Sequence, residues 1–365
     1  MSSKGSKLAT IRDVAQRAGV APSTVSYVLN GSRSISEETR ERVREAVDAL
    51  GYHPRASART LRSSRTRVIA LALPRRAGLQ HSVDGRFAIE LSDAAHGLGF
   101  DLLLTTSRDK AEGLRRVALS GLADAAVLMA VDMEDARIDV VREVAFPAAL
   151  IGRPADENAL PWTDLDWAGA AALAVRTLAA AGHRSLVYLA PSEAEVRARR
   201  SYALRGIEGA RGAAAATGCA VEVVHSLDDP AGEARRLRAL LTDDGVSLRP
   251  GGPTALVVQH PSAHHHLLAS MPSATGLRVP DDLPMVVIGT LPEDRSSSAL
   301  SRIELPVRTL ADEVTRLAVA AAEALRQRRG ASEEPGARLL AAALGHLLVE
   351  PELLPGPTPL APPQH

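Results

Sequence analysis

The stretch TIRDVAQRAGVAPSTVSYVLNG, residues 10–31, leaves few folding options open. Thr10 and Asp13 stand three apart, the spacing at which a hydroxyl and a carboxylate satisfy the first free N–H groups of a helix. Ile11, Val14, Ala15 and Ala18 recur on one helical face. The spacing predicts a short helix over 11–18 that stops at Gly19. Pro22 loses nothing as a first-turn residue, so a second helix runs from there to about Leu29, with Val25, Val28 and Leu29 turned inward. Its other face carries Ser23, Thr24, Ser26, Tyr27 and Asn30, short polar groups that admit a close backbone and exchange hydrogen bonds with it. Ser36, followed by Glu37 and Glu38, can cap a third helix whose inward residues are Val43, Val47 and Leu50. The pattern is that of a helix–turn–helix, although an inert three-helix bundle would share it.

Charge separates these readings. Residues 1–67 hold thirteen Lys and Arg against six Asp and Glu, whereas the whole chain balances 43 against 43. The remainder therefore carries the compensating acidic excess. That asymmetry suits a nucleic-acid-binding head on a body that does not adhere to nucleic acid. Much of the basic excess lies in ARTLRSSRTR, residues 58–67, where Leu61 stands among arginines.

Five segments in unbroken succession carry a resemblance: T-I-x-D-V-A-x-x-A-G-V from Thr10, S-T-V-S-x-V-L-N-G from Ser23, S-E-E-T-R-x-R-V from Ser36, L-G-Y-x-P from Leu50 and A-R-T-L-R from Ala58. Residues 8–73 resemble the head and hinge of the lac repressor/galactose repressor family of bacterial transcription regulators. The resemblance implies that the helix from Pro22 lies in the major groove of DNA, with Pro22, Ser23 and Tyr27 nearest the bases and Thr24, Ser26 and Asn30 on phosphates. Thr10, Arg33, Ala58 and Arg59 complete the implied DNA-facing set, and Leu61 would wedge into the minor groove from a hinge helix over 55–62 that orders on DNA. One position departs: many members have Arg where this chain has Tyr27. Arginine can bond guanine bidentately, worth about 1–3 kcal/mol of discrimination, whereas tyrosine offers a hydroxyl and a ring. Tyr27 therefore either reads a different base or packs on the sugar–phosphate edge.

From Val68 onward, short apolar runs alternate with amphipathic stretches of helical length. Strands are expected at Val68–Leu73, Leu102–Thr105, Ala125–Ala130, Ala148–Ile151, Ser185–Ala190, Val221–Val224, Ala255–Val258 and Met285–Ile288. Helices are expected near 86–98, 110–120, 134–144, 167–181, 198–217, 231–241, 262–269 and 307–328. Such alternation predicts parallel sheets covered by helices on both faces, and eight strands suggest two sheets. LGFDLLL, GHRSLVYL, GPTALVV, GLRVPDDLPMVVIG and SRIELPVRTLADEV resemble the periplasmic-binding-protein-like body of the same regulators, which implies a final strand near His346–Val349. The expected fold is α/β, an all-helical helix–turn–helix head followed by a body of two doubly wound parallel-sheet subdomains. Its divisions are a head over 1–54, a hinge and linker over 55–67, a body over 68–350 and a disordered tail over 351–365. Within the body, an N-subdomain takes about 68–160 and 303–328, and a C-subdomain about 161–300 and 329–350.

Ligands of open α/β sheets bind at the carboxyl ends of strands, so an effector cleft is expected between the halves, near Arg76, Ser192, Arg205, Gln259, His260 and Leu291. Sugar-responsive members of the family carry Asn-Asp where this chain has His260-Pro261, an aspartate where it has Leu291, and an arginine where it has Ala203, with Arg205 close by. Leu291 cannot accept a hydrogen bond. The effector is thus expected to be something other than an ordinary monosaccharide, or the cleft is degenerate and the regulator works without one.

Other classes find little support. His260 and His264 are four apart, but no second ligand pair stands at telling spacing, so no metal and no cofactor are expected. The sequence has no G-x-S-x-G, no G-x-x-x-x-G-K-[ST] and no H-E-x-x-H, which argues against an enzyme. The lone Cys219 excludes a disulfide framework, and no apolar run approaches the ~20 residues of a membrane span. The reading is a cytoplasmic repressor that binds a palindromic operator in double-stranded DNA as a homodimer or tetramer. A small-molecule binding protein without a DNA role is the alternative, and the basic head speaks against it.

Overall fold

The computed structural model describes residues 9–30, 35–50, 65–74, 81–227, 229–243, 247–259, 276–294, 298–330 and 345–362. The hinge helix over 55–62 and the helix near 262–269 lie outside the described residues, as do Arg33, Ala58, Arg59, Leu61, Arg76 and His260. The side chain of Asn30 does so too. The chain divides into two compact units, Met1–Thr66 and Arg67–His365.

In the first unit, α1 (Ile11–Ala18), α2 (Pro22–Asn30) and α3 (Glu37–Leu50) follow one another. Asp13 N–H donates to Thr10 Oγ1, and Thr10 N–H donates to Asp13 Oδ2 at 2.7 Å, a reciprocal box that satisfies two donors at the helix start. Gly19 ends α1 at φ +65°, a left-handed conformation that costs a side-chain-bearing residue energy. Val14, Val25 and Val43 are fully enclosed, with Val47 and Leu50 packed beside them. Each such burial contributes ~1.5–3 kcal/mol, enough to hold helices too short to persist alone.

The second unit is built on two six-stranded sheets. The first orders β11 (His346–Val349), β5 (Trp162–Leu165), β4 (Ala148–Ile151), β3 (Ala125–Leu128), β1 (Val68–Pro74) and β2 (Asp101–Ser107) side by side, all parallel. The second orders β12 (Leu353–Leu354), β10 (Ser301–Glu304), β9 (Met285–Thr290), β8 (Ala255–Val258), β6 (Ser185–Ala190) and β7 (Ala220–His225), parallel except for the last short strand β12. Strands β3, β4 and β8 are buried at every residue, which is why they read as unbroken apolar runs.

Helices cover both faces of each sheet. Leu91 of α4 (His81–Gly97) and Leu310, Val314 and Leu317 of α11 (Val307–Gly330) share one apolar cluster with β1. Leu114 of α5 (Lys110–Ser120) and Ile138 of α6 (Ala136–Glu143) belong to a second cluster, on the opposite face. In the other lobe, α7 (Trp167–Ala180) packs along α9 (Ser201–Thr217), and α10 (Pro230–Leu241) covers the far face. The short α8 (Glu193–Arg197) precedes α9.

Three expectations need correction. The first half does not end near 160, because β5 at 162–165 belongs to the first sheet; Thr163 and Asp164 are polar and hid it. The span 329–350 does not join the second half, since β11 pairs with β5. The tail is not loose over its described part: Leu353 and Leu354 pair with β10, and His183 Nε2 lies 2.7 Å from the Leu360 carbonyl. The strand β10 was likewise not foreseen. The chain thus passes between the lobes after β5, after β10 and after β11, and a cleft opens beside these crossings.

Candidate nucleic-acid interface and interlobe cleft

On the head, the start of α2 stands clear of the core. Pro22 and Ser23 are exposed, and Thr24 and Tyr27 are half-buried, one turn apart. Thr24 N–H and Val25 N–H both donate to the Ala21 carbonyl, fixing the first turn at its entry. Ser26 is 8% exposed, beside the fully buried Val25. Thr10 is exposed, but its N–H and hydroxyl are both committed to Asp13.

In the body, a cleft of about 700 Å³, counting its open mouth, lies between the lobes. Its walls are mostly apolar: Phe87 on α4, Met129 after β3, Ile151 on β4, and Leu305 and Leu310 at the second crossing. The rings of Trp167 and Tyr202, centred 5.5 Å apart and tilted by 48°, form the second lobe's contribution. The polar side chains in the wall are Asp84, Asp164, Ser201 and Gln259.

Two of these are already occupied by the protein. Gln259 accepts from Tyr188 Oη at 2.6 Å and donates to the Tyr202 carbonyl at 2.7 Å. It lies flat over Gly206 in α9, where a Cβ would come within 2.3 Å of the amide oxygen, so this close approach requires glycine. Asp164 accepts from Trp167 Nε1 at 2.9 Å and from Arg153 N–H at 3.1 Å. Burial raises its pKa to about 7, against those two bonds and the charges of Arg153 and Arg205. Near neutral pH this carboxyl is poised between neutral and ionised.

The other effector-site expectations fall around the cleft. Ser192 caps α8 through Glu195 N–H. Arg205 reaches across to the other lobe, donating to the carbonyls of Arg153 and Pro154. Leu291 packs half-buried against the main apolar cluster. None of these three is among the residues lining the cleft. The sequence reading missed Asp164, Trp167 and Tyr202. A usable signal was scarcity: the chain has only nine aromatic residues, and Phe87, Trp167 and Tyr202 meet at this one cleft. Among the described residues, no three His, Cys, Asp or Glu gather as a metal would require, and no helix is long and apolar enough to cross a membrane.

Residues 10–55 match the lacI family of bacterial regulatory proteins, and residues 175–341 match the periplasmic binding protein-like domain. Among similar proteins, the HTH-type transcriptional regulator MalR of Streptococcus pneumoniae is 35% identical over 149 residues, 40% of this chain and 45% of the relative. The HTH-type transcriptional regulator CelR of Thermobifida fusca is 32% identical over 198 residues, 50% of this chain and 55% of the relative. The chain thus aligns with about half the length of the curated relatives it matches. The lac repressor dimer bound to operator and an anti-inducer superposes with a TM-score of 0.72 at 21% identity, over 95% of this chain and 98% of that one. A CelR–cellobiose complex gives 0.60 at 23% identity over 95% and 98%.

Proposed function

We propose that this chain is a sequence-specific DNA-binding regulator of transcription, a cytoplasmic repressor that occupies a palindromic operator as a homodimer. The observation that carries the reading is the exposed first turn of α2, where Pro22 and Ser23, with Thr24 and Tyr27 beside them, project from a closed three-helix core within the family-matched segment. An element presented in this way fits the major groove, and a single head makes too few base contacts to be selective alone.

The body supports pairing. Among the described residues, strand β2 is one edge of the first sheet, and the exposed Leu104 (53%), Leu119 (69%) and Leu122 (58%) lie on it or at the end of the flanking α5, with Ile89 and Leu98 on the α4 side. An apolar edge strand left in water invites another chain, and a second copy would cover it. Two linked heads then act at high effective concentration on two half-sites. The cleft supports control by a small molecule that is largely apolar rather than a monosaccharide, because its amide and its buried carboxyl are already bonded within the protein.

Selection of bound DNA from a random pool by the full chain should enrich an inverted repeat. Tyr27→Arg should change the preferred base at one position in each half-site while leaving the spacing intact. Recovery of DNA no different from the input pool would overturn the reading.

A further inference from the structure

The two lobes meet along one rim of the cleft through groups of opposite charge. Asp132, in the loop after β3, accepts from Lys110 Nζ at 2.5 Å on its own lobe and from Arg200 Nη1 of the second lobe. Arg200 is 7% exposed, and the same nitrogen donates to the Ala130 carbonyl at 3.0 Å. Backbone bonds flank the ion cluster on either side: Ser201 N–H to the Val131 carbonyl at 3.0 Å and Met133 N–H to the Arg199 carbonyl at 2.8 Å. Residues 131–133 and 199–201 thus form a one-residue antiparallel bridge between the lobes, with Asp132 opposite Arg200.

The backbone is bent to make this contact. Ala130 has φ +53° and Arg199 has φ +55°, left-handed conformations that L side chains rarely adopt. One such residue enters the bridge from each lobe. Strain of this kind persists only where the surroundings hold it, and it clusters at switch regions. Arg200 Nε is buried without a hydrogen-bond partner, so the contact is held but not saturated. Ala130, Val131 and Ser201 also line the cleft, which puts the bridge in the wall of the site itself.

We propose that Lys110, Asp132 and Arg200 form an interlobe latch that keeps the body closed through protein groups alone, so that a ligand entering the cleft acts by parting the lobes. The second half rests on the cleft binding a small molecule; the latch itself does not. Removing Arg200 leaves Asp132 paired with Lys110 inside its own lobe, so the first lobe keeps a compensated charge and should stay folded.

The test places spin labels at Arg116→Cys and Arg211→Cys, exposed positions on α5 and α9, in the full chain carrying Cys219→Ala and diluted into unlabelled Cys219→Ala protein, so that pulsed double resonance reads the interlobe distance within one protomer. Without any added ligand, one narrow distance is expected. Arg200→Met should lower the ratio of closed to open molecules by roughly 10- to 100-fold, the size of a lost charged hydrogen bond. Glu134→Gln, which breaks only the exposed pair with Arg199, should leave the distance unchanged. If Arg200→Met melts too low to measure, Asp132→Asn carries the same expectation. A broad distance in the parent protein, or none of the loss in either latch variant, overturns the proposal. Operator selection with the same labelled protein keeps the two questions apart, since the distances stand whether or not DNA is bound.

Discussion

Two of the carboxylates buried in the first lobe are treated in opposite ways. Asp135, at the start of α6, sits against Arg137: Nε and Nη2 of the guanidinium reach its two oxygens at 2.9 and 2.7 Å. Burial alone would raise its pKa, but those bonds and that charge hold it down to about 2. Asp164, at the cleft, has an indole and one backbone N–H but no cation in contact, and burial carries it up to about 7. A buried carboxylate stays charged where a positive group answers it directly, and otherwise takes up a proton. The difference divides labour within one lobe. The paired site is structural, since Arg137 also donates to the carbonyls of Ala72 and Met129 at the ends of β1 and β3. The site without a cation is the one whose protonation changes near neutral pH.

The strongest way to break the contrast is Arg137→Met. It strips the cation from Asp135 and removes the guanidinium's bonds to the Ala72 and Met129 carbonyls, and it should cost about 3–5 kcal/mol in unfolding free energy near pH 7. The variant should also lose less stability than the parent on acidification, because Asp135 would no longer gain from staying ionised. Denaturant unfolding at pH 7 reads the cost, and a series from pH 5 down to pH 2, across which Asp135 of the parent takes up its proton, reads the second effect. A cost below about 1 kcal/mol would show that the pair contributes little.

The head was legible because its signals are local: a capping pair, a glycine stop and a first-turn proline fix each helix within a few residues, and each is seen in the structure. The parallel sheets were legible from their apolar runs. What stayed hidden was β5, where Thr163 and Asp164 break the run because they serve the crossing: Thr163 Oγ1 donates to the Leu310 carbonyl, and Asp164 bonds Trp167 and Arg153. The latch was hidden for a related reason. Lys110, Asp132 and Arg200 are scattered through 91 positions and meet only after both lobes have folded.

A milder perturbation is Asp164→Asn, which keeps the shape of the side chain and removes its titration. Folded Asp164 holds its proton more tightly than the unfolded chain does, so its contribution to stability is complete below about pH 4 and is lost as pH rises through about 7. The parent should therefore weaken by on the order of 1 kcal/mol per pH unit between about pH 4 and pH 7 through this group and level off above that, and the variant should lack that slope. Thermal unfolding across pH 5 to 9 separates the two. Parallel curves would place the carboxyl's titration outside this range.

The finest adjustment uses Arg205, whose charge opposes the upward shift of Asp164 more weakly than any other influence on it. Its guanidinium is turned toward the carbonyls of Arg153 and Pro154, so it acts on Asp164 through space and not by contact. Arg205→Met should move the Asp164-dependent part of the stability curve to higher pH, and by less than any of the changes above. If Arg205 instead carried an effector's anionic group, the variant would leave the stability curve in place and abolish ligand binding. A calorimetric titration beside the unfolding series therefore decides whether this arginine serves the joint between the lobes or the cleft.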